Sequence, residues 1–475
     1  MTVETLERVA ICGAGAMGSG IAQVAAQAGA SVKIFDVNAE SLGVSRERTL
    51  AELDKLAARG KLSPDAVTEI ASRMEWVSSL EALSDRDLII EAIVEDEGVK
   101  STLFRSLEDI VAPDAIIATN TSSLPVSRLA RGLKTPGRFV GMHFFNPATV
   151  MKLVEVIAGA ATETAVTARI VATAERWGKA AIPVADVPGF IVNRVARPFY
   201  AEAFAALGEG AAEPAVIDAL FKGVGFRMGP LELTDLIGQD VNFAVARSVF
   251  ESYFGRTRFT PQRRQAALVD AGWLGRKTKR GVYDYEAGGV PAIAAPAAFR
   301  PISDGAAQDA AQDLLAAAPG EFVQFDGVAI GMTRGFTARA ESILRGRPVA
   351  LLDWFVPDGD SPVGFAASDD QARQAALSVI AGLSRGGLEI TDRPGLVVTR
   401  TLAQIVNAAA DAVLEQVATE DGVDTALRFG ANYPFGPFAW ADRIGRHEVV
   451  ATLDAIAVDT GEAIYRPSLY LRNQA

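Results

Sequence analysis

Apolar positions in the first third of the chain come in short unbroken runs rather than in alternation. Val9 to Cys12, "SVKIFD" (31 to 36), "DLIIEAIVED" (87 to 96), "AIIATNTSSL" (115 to 124) and "RFVGMHFFN" (138 to 146) predict strands buried on both faces, as in a parallel sheet covered by helices. Ile21 to Ala28 predicts a helix with small residues on its packing face. "SRERTLAELDKLAARGKLSPDAV" (45 to 67) predicts an exposed helical pair carrying Arg46, Arg48, Lys55, Arg59 and Lys61. Those cations read equally well as solvated helix faces or as an anion site, with Lys55 a candidate for a substrate's anionic group.

The first strand and helix are joined by Gly13, Gly15 and Gly18, a G-x-G-x-x-G turn. The first glycine permits the tight turn, the second lets the backbone approach a pyrophosphate, and the third allows close helix–strand packing. Free N–H groups at the helix start face the anion. The second strand ends in Asp36, a carboxylate that accepts hydrogen bonds from ribose hydroxyls and repels a 2′-phosphate; no arginine stands beside it in "DVNAES", which favours NAD over NADP. In an open parallel sheet, polar residues just past the strand ends line the ligand crevice. Glu95, Lys100, Asn120 and Ser122 therefore fall where cofactor or substrate binds.

The pattern changes after "GVYDYE". Residues 287 to 312, "AGGVPAIAAPAAFRPISDGAAQDAAQ", are rich in Ala, Pro and Gly and read as a linker. "EFVQFDGVAIGM" and "RPVALLDWF" predict strands and "QARQAALSVIAGL" a helix, a degenerate α/β segment without a second nucleotide-binding turn. An internal repeat follows: "DVPGFIVNR" (186 to 194) returns as "DRPGLVVTR" (392 to 400), and "GPLELTDLIG" (229 to 238) as "GPFAWADRIG" (436 to 445). The helical domain is duplicated, with Thr399 where Asn193 stands. The second copy reads as structural, its apolar helices covering those of the first, which could replace a dimer partner or leave room for one. The boundaries expected are 1–185 for the nucleotide-binding domain, 186–285 helical, 286–305 linker, 306–390 degenerate and 391–475 for the second helical copy.

Composition narrows the function. Apolar residues make up 49% of the 475, enough for full-sized cores. With 46 basic against 58 acidic side chains, the net charge of −12 argues against a nucleic-acid surface. One cysteine, Cys12, excludes an internal disulfide and fits a reducing compartment. Two histidines and one cysteine argue against a protein-built zinc site, and no metal is expected. There is no leader-like start and no run approaching the roughly 18 apolar residues that span a bilayer, so a cytoplasmic protein is expected.

His143, one of those two histidines, sits in "HFFNPATVMKLVEV" among Phe144, Phe145, Met151, Leu153, Val154 and Val156, with Glu155 twelve positions later. A general base that oxidises an alcohol must bind the hydroxyl hydrogen and titrate near neutrality, which suits imidazole. A carboxylate on the other ring nitrogen fixes the tautomer and stabilises the imidazolium. Asn146 and Pro147 predict the turn that brings Glu155 back to His143. His447, in the second helical copy, shows no partner in the sequence and reads as a surface or satisfied residue.

Ser122, His143, Asn146 and Glu155, within "NTSSL", "HFFNP", "MKLVEV" and "DVPGFIVNR", resemble the 3-hydroxyacyl-CoA dehydrogenase family over residues 1 to about 285. The resemblance implies an α/β Rossmann domain followed by an all-α domain like that of 6-phosphogluconate dehydrogenase, with an acyl-CoA substrate held in the cleft between them and NAD as cofactor. It makes His143 the base and Glu155 its partner. It puts Ser122 and Asn193 at the substrate's oxygen atoms, Asn146, Glu95 and Lys100 at the nicotinamide, and Lys277 near the cofactor. The long architecture is most similar to the bacterial 3-hydroxyadipyl-CoA and 3-hydroxybutyryl-CoA dehydrogenases of phenylacetate degradation. Two other readings stay open: a non-catalytic, crystallin-like protein on this scaffold, and a dehydrogenase of free hydroxy acids. A dicarboxylic substrate needs a cation for its distal carboxylate; Arg194, Arg197 and Arg227 lie in the relevant stretch, and the sequence does not say which points inward.

Overall fold

A computed structural model describes residues 5–291 and 305–475. The chain forms two compact units, one comprising residues up to Val192 together with Gln416–Ala431, the other Asn193–Glu415 with Asn432–Ala475. Most of the expected linker, residues 292–304, lies outside the described residues.

The first unit is built on an eight-stranded sheet of β1 (Arg8–Cys12), β2 (Ser31–Phe35), β3 (Met74–Val77), β4 (Leu88–Glu91), β5 (Ile116–Thr119), β6 (Phe139–Phe144), β7 (Leu153–Ala158) and β8 (Ala180–Ala185). Their order is β3-β2-β1-β4-β5-β6-β7-β8. Every neighbouring pair is parallel except β6 and β7. The apolar runs form these strands because both faces are covered: β4, β5 and β6 are buried along their whole length. Helix Ala16–Gln27 follows β1 and buries its small face, Gly18, Ala22, Ala25 and Ala26. The predicted helical pair appears as Ala39–Ala58 and Pro64–Ser72, each started by a side-chain cap, Asn38 and Ser63. Cys12 is fully buried in the sheet.

Helix Glu420–Gly430 belongs to the second helical copy in sequence, yet it packs on β7 and β8 of this first unit. The expectation that the second copy only covers the first is therefore incomplete. The Ala185 N–H donates to the Val417 carbonyl and continues the contact through the backbone.

The second unit contains a five-stranded sheet: β9 (Val323–Phe325), β10 (Val328–Met332), β11 (Val349–Leu352), β12 (Val363–Ala367) and β13 (Gly387–Glu389), ordered β13-β12-β11-β10-β9. The parallel, antiparallel, parallel sequence of β10–β11, β11–β12 and β12–β13 repeats that of β5 to β8. The degenerate segment thus copies the far half of the first sheet and not its nucleotide-binding half. The linker-like composition also hides a helix, Gly305–Ala316, because once the prolines end the alanines favour helix and bury Ala307, Ala310, Ala311 and Leu314 against the sheet.

The two helical copies pack reciprocally through the helices Arg197–Gly208 and Val398–Leu414. Arg194 of the first copy pairs with Glu415 of the second at 2.8 Å, while Arg400 of the second faces Glu209 of the first at 3.5 Å. Each residue type meets its own repeat equivalent's partner, the pattern of a two-fold dimer contained in one chain. Arg400 also makes a buried ion pair with Glu202 at 2.9 Å.

Candidate active site

The chain does reverse after Asn146. β6 and β7 pair antiparallel with His143 opposite Glu155. In that register the two side chains share one face of the sheet, and Nδ1 of His143 lies 2.7 Å from Oε2 of Glu155. The pair is enclosed, with His143 6% and Glu155 1% exposed. A carboxylate offers only acceptors, so Nδ1 carries the hydrogen of this bond and Nε2 is the ring nitrogen turned away from the carboxylate. The other oxygen of Glu155 accepts the N–H groups of Ile191 (2.9 Å) and Val192 (3.0 Å). Those N–H groups leave a strained turn in which Gly189 and Phe190 have φ of 76° and 48°. Phe190 and Phe145 flank the imidazole, their ring centres 5.7 and 4.5 Å away. The result is an imidazole held in one orientation in an apolar wall.

Past the ends of β4 and β5 lies a second polar network. Lys100, 1% exposed, holds Glu91 at 2.5 Å and Glu95 at 3.0 Å. Glu95 in turn accepts the Thr121 hydroxyl and the N–H groups of Ser122 and Ser123, fixing the loop that carries Ser122. Burial pushes the Glu95 carboxyl up, but Thr121, Lys100 and the Ser122 N–H outweigh it and hold its pKa below the ordinary value. Lys100 is thus enclosed between two carboxylates, and the more exposed Glu95 lies between it and the surface. Asn120 accepts the Phe144 N–H through Oδ1 at 2.8 Å and so fixes the end of β6 next to His143. Asn146 is exposed in the turn that follows.

The glycine turn fits a dinucleotide. A Cβ on Gly13 would lie 2.4 Å from the Ala92 carbonyl, and one on Gly18 would overlap the Gly13 carbonyl, whereas one on Gly15 would meet nothing within 4 Å. The free space is thus at the residue whose backbone must approach a phosphate. Asp36 accepts the Ala14 N–H through one oxygen at 2.8 Å, so its carboxylate also braces the turn. Arg48, grouped by sequence with exposed helix charges, reaches this turn and donates to the Gly15 carbonyl (2.9 Å) and the Ser19 hydroxyl (2.6 Å). No sequence signal marked it, because the contact spans more than thirty positions.

The remaining candidates lie apart from this cluster in sequence. Lys55 is exposed and pairs with Glu52 at 3.5 Å. Asn193 begins the second unit within the short helix Val192–Val195. Lys277 pairs with Asp240 at 2.6 Å. His447 is a surface residue beside Glu448 at 2.9 Å. Among the described residues no group of three or more His, Cys, Asp or Glu could hold a metal, and no helix is long and apolar enough to cross a membrane.

Comparison with known proteins gives a consistent result. The family model for the 3-hydroxyacyl-CoA dehydrogenase NAD binding domain matches residues 8–187, and that for the C-terminal domain of the same family matches 189–285 and again 395–474. The 3-hydroxyadipyl-CoA dehydrogenase of Escherichia coli K12 is 40% identical over 474 residues, covering 99% of this chain and 98% of the relative. A probable 3-hydroxybutyryl-CoA dehydrogenase of Bacillus subtilis is 42% identical over 282 residues, covering 59% of this chain and 98% of that shorter relative. The crystal structure of a 3-hydroxybutyryl-CoA dehydrogenase from Escherichia coli K12 superposes with a TM-score of 0.92 at 40% identity, over 99% of this chain and 98% of that one.

Proposed function

The chain belongs to the 3-hydroxyacyl-CoA dehydrogenase family, an NAD-dependent oxidoreductase family, and from that premise we propose how its residues perform the reaction. The 3-hydroxyl of an acyl-CoA donates its proton to Nε2 of His143. Glu155 holds the ring through Nδ1 and stabilises the imidazolium that results. A bound NAD would supply the hydride acceptor for the same carbon, so that loss of proton and hydride together would leave the 3-keto thioester. Gly13, Gly15, Gly18 and Asp36 hold its adenosine diphosphate part, and Glu95 and Asn146 its nicotinamide side. Ser122 and Asn193 bind the substrate's oxygen atoms, Lys277 supports the cofactor side, and Lys55 meets an anionic group of the substrate. The phenylalanine rings beside His143 exclude water, which strengthens the pair's electrostatics.

The observation that carries this reading is the buried pair of His143 and Glu155 anchored on the 189–192 turn. The acyl group we propose is short, either butyryl or the dicarboxylic adipyl, as in the two kinds of relative. An adipyl preference puts the cytoplasmic enzyme in aromatic-acid breakdown. The test is NADH formation with 3-hydroxybutyryl-CoA, 3-hydroxyadipyl-CoA and free 3-hydroxybutyrate. Turnover of either CoA ester with none of the free acid supports the proposal; turnover of the free acid alone overturns it.

A further inference from the structure

The structure separates the three arginines that the sequence left equivalent. Arg194 is fully buried and neutralised, with Glu415 on one nitrogen and the Tyr253 hydroxyl on another, each at 2.8 Å. Arg227 is exposed. Arg197 is different: it is only 9% exposed, and its guanidinium has no carboxylate partner among the described residues. Among the described residues it makes one hydrogen bond, a long one of 3.4 Å to the Asn242 carbonyl, and its Nε has no partner. Its charge lies 5.0 Å from the Tyr200 ring centre.

Three further observations sharpen the anomaly. Arg197 is the first residue of the helix Arg197–Gly208, so its positive charge stands at the positive end of the helix dipole. The Tyr433 hydroxyl, close enough to feel the charge of Arg197, is also buried with no partner among the described residues. Finally, the reciprocal packing of the two helical copies does not require it. Arg194 and Arg400 are repeat equivalents and both are paired, whereas the equivalent of Arg197 is Ala403. A buried, unpaired cation is unfavourable unless a counter-ion joins it. A guanidinium with one long hydrogen bond and no carboxylate, beside a hydroxyl without a partner among the described residues, describes an anion site.

The chemistry of the anion follows from the surroundings. A planar guanidinium matches a carboxylate's two oxygens. Phe199, Tyr200, Phe226 and Tyr433 form one aromatic cluster, which suits methylene groups rather than a hydrated polyphosphate. Asn193 stands four positions before Arg197, in the short helix Val192–Val195 that Ala196 alone separates from the helix Arg197–Gly208. We propose that Arg197, assisted by the Tyr433 hydroxyl, receives the distal carboxylate of a dicarboxylic 3-hydroxyacyl-CoA. This rests on the reading of Asn193 as a substrate-facing residue of a 3-hydroxyacyl-CoA dehydrogenase.

The first measurement is binding of two unreactive esters, adipyl-CoA and hexanoyl-CoA, to the wild-type protein by calorimetry. Adipyl-CoA is expected to bind at least about 30-fold more tightly, the lower range for a buried charge pair. Arg197→Met is then expected to collapse the ratio of kcat/KM for 3-hydroxyadipyl-CoA over 3-hydroxybutyryl-CoA by about 100-fold, and Tyr433→Phe by about 3- to 10-fold. Thermal unfolding of Arg197→Met is expected at or above the wild-type temperature, since an unpaired charge has been removed. Equal wild-type binding of the two esters overturns the proposal, even if the methionine variant fails to fold. Equal losses for both esters in that variant also overturn it, because the guanidinium then meets a phosphate common to both. Failure of the wild type to turn over any ester defeats the proposed function instead, and the binding comparison still decides the role of Arg197.

Discussion

The chain contains the same strand-and-turn device twice, and only one copy is equipped for chemistry. In the first unit the turn at 187–190 aims the N–H groups of Ile191 and Val192 at Glu155. In the second unit the repeat of that turn, with Gly395 and Leu396 at φ of 73° and 51°, aims the N–H groups of Val397 and Val398 at Asp353, at 2.9 and 2.7 Å. Asp353 also accepts from the Thr399 N–H and hydroxyl. "DWFVP" aligned on "HFFNP" puts Asp353 at the position of His143, and the residue facing it across the strand pair is Gly364. Thr399 stands at the position of Asn193. The second device is closed on itself: a carboxylate bound directly to the turn is a brace. Inserting an imidazole between carboxylate and ligand turns the brace into a proton acceptor.

The largest expected difference between the two devices is in turnover. His143→Ala should lower kcat by about 10²- to 10⁴-fold, the usual contribution of a general base, with NAD binding intact by fluorescence titration. Wild-type turnover in this variant would remove the comparison's catalytic half. Asp353→Ala should do the reverse. It strands the turn's N–H groups in a buried setting, at a cost of roughly 1–3 kcal/mol per group left unsatisfied. Chemical denaturation is expected to show a loss of about 3 kcal/mol or more by that reckoning, while kcat under native conditions stays near the wild-type value. A smaller effect is expected for Glu155→Gln, which keeps an oxygen for the Ile191 and Val192 N–H groups but no longer offers a charge to the imidazolium. Turnover should fall roughly 10- to 100-fold, part of the general-base contribution, with the melting temperature little changed.

Much of this was legible in the sequence, for identifiable reasons. The buried strands, the glycine turn and Asp36 follow from local spacing, and the return of Glu155 to His143 needed only a turn and a two-residue period to put both on one face. What escaped depends on contacts distant in the chain. Arg48 bonds the glycine turn from a helix whose exposed face looks ordinary. Lys100 reads as a residue at a strand end; its burial against Glu91, nine positions back in the strand itself, is not announced by that pattern. Helix Glu420–Gly430 carries an amphipathic pattern that says it must be covered, not by what; the second helical copy sends it to β7 and β8.

That helix supplies the smallest and most discriminating test. Its last residue, Gly430, presses on the catalytic strand: a Cβ there would lie 2.5 Å from the Leu153 side chain, 2.9 Å from that of Val192 and 3.5 Å from the Phe145 ring. Val192 donates to Glu155 and Phe145 flanks His143. The corresponding helix of the first copy, Pro214–Gly223, also ends in a glycine, and a Cβ on Gly223 would lie 3.0 Å from Ser361, at the approach to β12 in the second sheet. Alanine at either position gains up to about 1 kcal/mol of helix propensity and loses about 1–3 kcal/mol to overpacking, so similar melting temperatures are expected. Only Gly430→Ala displaces groups that hold the imidazole. A misplacement of about 1 kcal/mol at the transition state lowers kcat roughly fivefold, and Leu153→Ala, which removes the nearest obstructing atoms, should restore part of it. Equal kcat in the Gly430 and Gly223 variants would mean that the second copy's helix only covers β7 and β8; a selective loss at Gly430, eased by Leu153→Ala, would make the duplicated domain a positioning element for the reaction.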